Sequence, residues 1–377
     1  MQITTWYTRN FEDRLKGRYV AIKHILPILE DYQELFNVSV AGYSENGVEI
    51  PLVSFGQGEK IVLIWSQMHG NESTTTKALF DFFKFITLNK QTTKTLLSKH
   101  TFYVLPMLNP DGAAKYTREN ANGVDLNRDA QDLSQGESKV LRSIFDTLQP
   151  DLCLNMHDQR SIFGIVGPKP ATLSFLAPSA DVLKTITPSR KVAMGLIVKM
   201  KNYINTHHHN QIGRFDDTYN QHCVGDSFTS SGTPTILFEA GHFKDDYNRE
   251  QSRSFVFYGL IALFDLDITF QNNSVDYNEY FTIPENQKLY KDLILYNVHV
   301  DGKASLQTIC FQYKEKLVKQ KIMFELHFDS MGGDNNVLGH QHFDLQGGKI
   351  LVNSHQNIII GKKISTIFDI NRNLMLI

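Results

Sequence analysis

Apolar residues along this chain follow one pattern for the first two thirds and another for the rest. Short unbroken apolar runs predict buried strands over Lys60–Ser66, Thr101–Met107, Asp151–Met156 and Pro234–Phe238. Between them apolar residues recur at helical spacing, as Ala78, Leu79, Phe82, Phe83 and Ile86 do. That period predicts helices over Phe11–Tyr32, Thr74–Thr87, Glu137–Leu148, Ser189–His207 and Arg249–Phe264. Strands alternating with helices as far as Asp267 predict an α/β domain.

Beyond Asp267 the pattern changes. Gln271 to Lys291 is polar and Asn-rich, carries Pro284, and reads as a linker. From Asp292 onward short β runs follow one another: Leu293–Val300, Leu306–Tyr313, Ile322–Phe328, Ile350–Val352, Asn357–Ile360 and Ile364–Ile370. Turn signals separate them, at Asp301-Gly302, Gly332-Gly333-Asp334-Asn335-Asn336 and Gly347-Gly348. Two domains are therefore expected, an α/β catalytic domain over 1–270 and a β-rich accessory domain over 286–377, built as a barrel or sandwich.

Composition mainly excludes. With 41% hydrophobic and 21% charged residues the chain is ordinary for a globular protein. Its 38 basic and 40 acidic residues give a net charge of −2, so neither nucleic acid nor an anionic membrane is expected as a partner. No apolar run is long enough to span a bilayer, and the first residues lack the basic and apolar regions of a signal peptide. Cys153, Cys223 and Cys310 are sparse, lack paired spacing, and two lie in apolar runs. Free thiols in a reducing compartment follow, and a cytoplasmic location is expected.

Chemistry gathers at the ends of the predicted strands, where open α/β sheets place their sites. The first strand runs into Gln67-Met68-His69-Gly70-Asn71-Glu72, the second into Asn109-Pro110-Asp111-Gly112 and then Arg118 to Asp129. The third ends at His157-Asp158 and the fourth at Glu239-Ala240-Gly241-His242. A catalytic zinc site needs three N or O ligands and an open position, and His69, Glu72 and His157 supply them. Glu239 is a further carboxylate that can move a proton, and Arg118 and Arg128 suit an oxyanion or a substrate carboxylate. Taken singly, each residue has a plainer role as a turn, a satisfied interior histidine, a cap or a solvated arginine. Four strand ends with complementary chemistry make the joint reading the stronger one.

The order His69-x-x-Glu72, Asn109-Pro110-Asp111-Gly112, Arg118, Gly123-Val124-Asp125-Leu126-Asn127-Arg128, His157, Glu239 resembles the zinc carboxypeptidases of the M14 family, over roughly Val48 to Phe243. The resemblance implies a central mixed eight-stranded sheet flanked by helices. It implies one zinc ion per chain held by His69, Glu72 and His157, with Glu239 as general base and acid and Arg118 polarising the scissile carbonyl. Asn127 and Arg128 would grip the substrate's terminal carboxylate, and Tyr219 is the candidate for the family's mobile tyrosine. The activity implied is removal of a C-terminal residue from a peptide or peptide-like amide by zinc-activated water.

Three departures bear on substrate. Gly70-Asn71 stands between the ligands where digestive members carry an arginine, and is similar to the succinylglutamate desuccinylase and aspartoacylase group. The interval from Glu72 to His157 is shorter than in the digestive enzymes. Asp129 follows Arg128 where an asparagine is frequent, and could tune that arginine or favour a positively charged substrate. An N-acyl amino acid deacylase is therefore an alternative, and a noncatalytic zinc-binding module a second. Arg214, Asp216 and Asp217 could line a specificity pocket. His207-His208-His209 suits a helix end, and His327, His340, His342 and His355 read as solvated strand-face residues.

Overall fold

The four apolar runs lie side by side in one sheet. The computed structural model describes residues 2–167, 169–208, 211–267, 269–270, 275–332, 337–353, 362–372 and 374–375. Its main sheet has eight strands: β1 (Asn37–Tyr43), β2 (Glu49–Gly56), β3 (Lys60–Ser66), β4 (His100–Leu105), β5 (Leu152–Asp158), β6 (Leu173–Leu176), β7 (Ile212–Arg214) and β8 (Thr235–Ala240). Their order is β1-β2-β4-β3-β5-β8-β6-β7. β4, β3, β5 and β8 run parallel, and β2 and β6 pair antiparallel to β4 and β8. The sheet is mixed, as the resemblance implies. From β3 the chain passes first to β4 on one side and later to β5 on the other, so the strand order reverses at β3/β5. That crevice is where a doubly wound sheet offers a binding site.

Helix Thr74–Leu88 is apolar almost all round because the sheet covers one side and helix Glu250–Leu263 the other; Leu79, Phe80, Phe82, Phe83 and Phe85 are fully buried. The same helix buries two charges. Lys77 Nζ donates to Glu250 Oε1 at 2.8 Å and to Asn248 O at 3.1 Å. Asp81 accepts from Arg253 Nε at 2.7 Å and Nη2 at 2.6 Å.

That ion pair explains a difference from the sequence expectation. The span Phe11–Tyr32 is helical only over Ile22–Asp31, and a separate helix, Ile3–Asn10, precedes it. In the irregular stretch between them the Glu12 N–H donates to Asp81 Oδ1 at 2.7 Å, and Glu12 O and Leu15 O accept from Arg253. The Gly17 N–H donates to Glu250 Oε1, with φ at 72°. Tertiary hydrogen bonds to buried charges thus replace the helical ladder. The β1–β2 hairpin escaped the pattern because β1 is a half-exposed edge strand. Within the expected linker, Tyr277–Thr282 forms a 3₁₀ turn, and its fully buried Tyr280 accepts the Ala177 N–H.

Two compact units divide the chain: Met1–Gln159 with Ala171–Asn286, and Arg160–Pro170 with Gln287–Ile377. The second unit thus takes in 160–170, a stretch that the sequence reading placed inside the first. It holds a five-stranded sheet in which Tyr290–Val298 lies between Gln307–Val318 and a parallel partner, Leu338–Asp344. A three-stranded sheet that includes Ile350–Val352 and Ile367–Asp369 shares its core of Leu293, Leu295, Ile309, Phe311 and Ile367. The strand predicted over Asn357–Ile360 lies outside the described residues. Among the described residues no helix is long and apolar enough to cross a membrane.

Arg253→Ala strands Asp81 as an unpaired buried charge. It is expected to cost about 3–5 kcal/mol of unfolding free energy, measured by denaturant titration. A loss below about 1 kcal/mol would show that the network is dispensable.

Candidate metal centre

β3 delivers the chain into a sharp turn. Gln67 takes a left-handed backbone (φ 45°), unusual for a non-glycine residue and held here by its side-chain amide, which donates to Val20 O and Gly70 O. Gly70 lies against the backbone of the next strand's turn. A Cβ built there would fall 1.9 Å from Gly112 C, so no side chain fits. Asn109 joins the two turns: its N–H donates to Gln67 O, its Nδ2 to Met68 O, and its Oδ1 caps helix Pro110–Lys115 through the Gly112 N–H. The Asn-Pro-Asp-Gly block is therefore the brace of the His-Gly-Asn-Glu turn.

This bracing brings three side chains together. His69 Nδ1 lies 2.9 Å from Glu72 Oε1, His157 Nδ1 lies 2.8 Å from Glu72 Oε2, and the two Nδ1 atoms are 3.1 Å apart. All three residues are buried, and they are the one group among the described residues whose ligand atoms could hold a metal ion. Two imidazole lone pairs and a carboxylate facing one another at such distances repel unless a proton or cation lies among them. A buried two-histidine, one-carboxylate set matches zinc, so the residues fit the ion.

Neighbouring charges orient the cluster. His69 Nε2 is 2.9 Å from Asp125 Oδ1, which fixes its tautomer and turns Nδ1 inward. Asp125 in turn accepts from Arg118 Nε and Nη2, while Arg118 Nη1 reaches His69 Nδ1 at 3.1 Å and Glu72 Oε1 at 3.2 Å. Burial pushes the Glu72 carboxyl up, but His69 and His157 outweigh it and hold it well below the usual carboxylate range. Glu239 is paired in register with His157 on the adjacent parallel strand. Burial, then the charges of Glu72 and Asp158, push its carboxyl well above the ordinary range. Asp125 was not among the expected site residues; its place in Gly-Val-Asp-Leu-Asn-Arg, two residues before Asn127-Arg128, was the signal available.

Known proteins share this arrangement's fold. The sequence profile of the zinc carboxypeptidase family matches residues 23–146. An uncharacterized protein of Zymomonas mobilis is 25% identical over 126 residues, 32% of this chain, and the chain spans only 33% of that relative's length. The metallo-carboxypeptidase of Burkholderia cenocepacia superposes with a TM-score of 0.54 at 17% identity, over 67% of this chain and 70% of that one. The chain is similar to the M14 zinc carboxypeptidases over residues 23–146 and shares their fold. Carboxypeptidase A of Helicoverpa armigera gives 0.52 at 18% identity, over 66% and 73%. A metallo-carboxypeptidase of Pseudomonas aeruginosa, in complex with (2-guanidinoethylmercapto)succinic acid, gives 0.53 at 16%, over 66% and 69%.

Other residues singled out in this carboxypeptidase-like chain are placed variously. Asn127 and Arg128 lie on the 3₁₀ turn that follows Asp125; Asn127 Oδ1 accepts the Val224 N–H, and the exposed Arg128 donates to Asn127 O and to Cys223 Sγ. Tyr219 is half-buried, its hydroxyl 3.5 Å from Ser230 Oγ. Asp129, expected to tune Arg128 or favour a positively charged substrate, is buried, and its carboxylate is taken by the Ser134 and Gln135 N–H groups and the Ser134 hydroxyl. Arg214 pairs with Glu285, Asp217 with Lys184 and Arg190, and Asp216 caps Thr218, so local structure uses all three. His207 ends its helix beside Tyr203 and His208 stacks on Phe255, whereas His209 and His355 lie outside the described residues.

Asp125→Asn is expected to weaken zinc binding by about 10–100-fold, read by competition with a chelating dye. Unchanged affinity would mean that the carboxylate does not orient His69. Burial pushes Asp226, on helix Val224–Ser230, up to about 7. The folded chain then holds a proton that the unfolded chain has already released, so stability falls as pH rises from about 4 to about 7. Asp226→Asn should lack that slope in thermal denaturation across this window; equal slopes in the two proteins would refute the shift.

Proposed function

We propose that this chain is a metallocarboxypeptidase-type hydrolase that removes a C-terminal residue from a peptide or peptide-like amide. The observation that carries the reading is the convergence of His69, Glu72 and His157 at the carboxyl edge of the sheet, with Arg118 over them and Glu239 paired beside His157. His69, Glu72 and His157 would hold one zinc ion. Zinc supplies Lewis acidity and lowers the pKa of water.

The chain's own residues do the rest. Glu239, with its raised proton affinity, takes the proton of the attacking water at its carboxylate and delivers it to the leaving nitrogen. Arg118, its side chain 40% exposed, turns its guanidinium toward the developing oxyanion. Asn127 and the exposed fork of Arg128 receive the substrate's free carboxylate. The succinic acid ligand of the Pseudomonas aeruginosa structure, itself a carboxylate, supports that substrate end. Tyr219 closes over the substrate. In this reading the first unit is catalytic and the second accessory. That Cys153, Cys223 and Cys310 form no disulfide among the described residues favours a cytoplasmic setting.

A second reading, deacylation of N-acyl amino acids, rests on Gly70-Asn71: the Gly70 position admits no side chain, and the Asn71 N–H is tied to Thr117 O. Turnover of dansylated dipeptides compared with N-acetyl and N-succinyl amino acids separates the two. Cleavage of the dipeptides, with a loss of about 10²–10⁴-fold in kcat for Glu239→Gln, is the expected result. Turnover of the acyl amino acids alone would put the second reading in its place. Unchanged activity in Glu239→Gln would remove the general base, and zinc bound without any turnover would leave a noncatalytic module.

A further inference from the structure

In the second unit, Gln307–Val318 and Lys321–Gly332 form a hairpin joined at Lys319 and Gln320, both with positive φ (46° and 63°). Its far half stands clear of the sheet. Gln307–Val318 pairs with Tyr290–Val298 only over Gln307 to Phe311, and Lys321–Gly332 pairs with Lys363–Ile364 only at Leu326 and His327. Among the described residues, the strands from Gln312 to Glu325 pair only with each other, as a two-stranded ribbon.

Cross-strand pairs fix what each face carries. Tyr313↔Leu326, Glu315↔Phe324 and Leu317↔Ile322 share one face, where the apolar side chains are partly or fully buried. Lys314↔Glu325, Lys316↔Met323 and Val318↔Lys321 share the other. On this second face Lys314, Lys316, Lys321, Val318 and Met323 are all exposed, and Lys319 stands exposed at the turn. Val318 is 39% and Met323 53% exposed. Glu325, the acid on this face, is already neutralised by Lys363 at 2.7 Å and Lys316 at 3.8 Å. A chain whose net charge is −2 thus carries an excess of positive charge on one face of this ribbon.

We propose that this face docks on an anionic lipid surface, the lysines meeting headgroup charges while Val318 and Met323 enter the interfacial layer. Lysines alone would be explained as guards against pairing at the ribbon's open edges. Two exposed aliphatic side chains beside them work against that purpose, and serve a surface that is charged outside and apolar beneath. Nucleic acid is the poorer fit, since the exposed face has no arginine for bidentate phosphate contact and no aromatic ring for base stacking.

The test is co-sedimentation of the full chain with phosphatidylcholine vesicles that contain or lack phosphatidylserine, at low and high salt. Binding is expected only to the serine-containing vesicles, and should weaken as salt screens the charge. Replacing Lys314, Lys316, Lys319 and Lys321 by Gln together should lower the partition coefficient by roughly two orders of magnitude. Val318→Ser with Met323→Ser should lower it about tenfold, and both variants should keep the wild-type circular dichroism and metal content. Equal sedimentation with both vesicle types, or binding insensitive to both variants, would overturn the proposal. So would no vesicle binding together with lysine-dependent retention on duplex DNA, or with a concentration-dependent dimer that the variants abolish.

Discussion

The candidate metal centre depends on the meeting of two backbones. Gly70 lies against Gly112 with no room for a side chain between them, and Asn109 laces the two turns together with two hydrogen bonds while a third caps its own turn. Because these turns leave β3 and β4, adjacent parallel strands, the sheet's own spacing sets how closely they approach. His69 and Glu72 are thereby presented to His157 on the other side of β3 without flexible reach. The positive φ of Gln67 is the conformational strain that this geometry stores.

Rigidity on the other side of the ligand turn comes from charge. Helix Thr74–Leu88 begins two residues after Glu72 and is moored by Lys77–Glu250 and Asp81–Arg253. Thr74 N–H donates to Asp158 Oδ2, and Ser73 Oγ donates to Arg18 O. A buried ion network is a poor source of net stability but a good source of uniqueness, because few arrangements satisfy all its members. Here it holds the helix start, and with it Glu72, in one place.

Much of this was legible in the sequence, and the legible parts share a cause. β3, β5 and β8 are covered on both faces, so their apolar runs were continuous and their carboxyl ends, with His69, His157 and Glu239, could be located. β1 and β2 were missed because an edge hairpin need not be apolar. The stretch from Phe11 to Ala21 misled because its helical period is real, yet Arg253 and Asp81, distant in sequence, claim its backbone groups. Asp129 misled for a related reason: adjacency to Arg128 says nothing about which way a buried carboxylate turns, and Ser134 and Gln135 decide it. Asp125 shows that a residue inside a recognised block can be overlooked when its partner, His69, is remote along the chain.

The two units alternate along the chain. The chain leaves the first unit after Gln159, contributes strands Phe163–Ile165 and Lys169–Pro170 to the second, and returns at Ala171. Besides pairing with each other, these strands meet the rest of that unit's chain at Gln287–Lys288, which pair with Gly164 and Phe163. During synthesis the early segment 160–170 therefore waits for the rest of the second unit, and that unit's completion is a non-local event. Stopping the chain near Asn286 would orphan an internal strand rather than remove an appendage, so the two units have to be inherited, expressed and engineered as one.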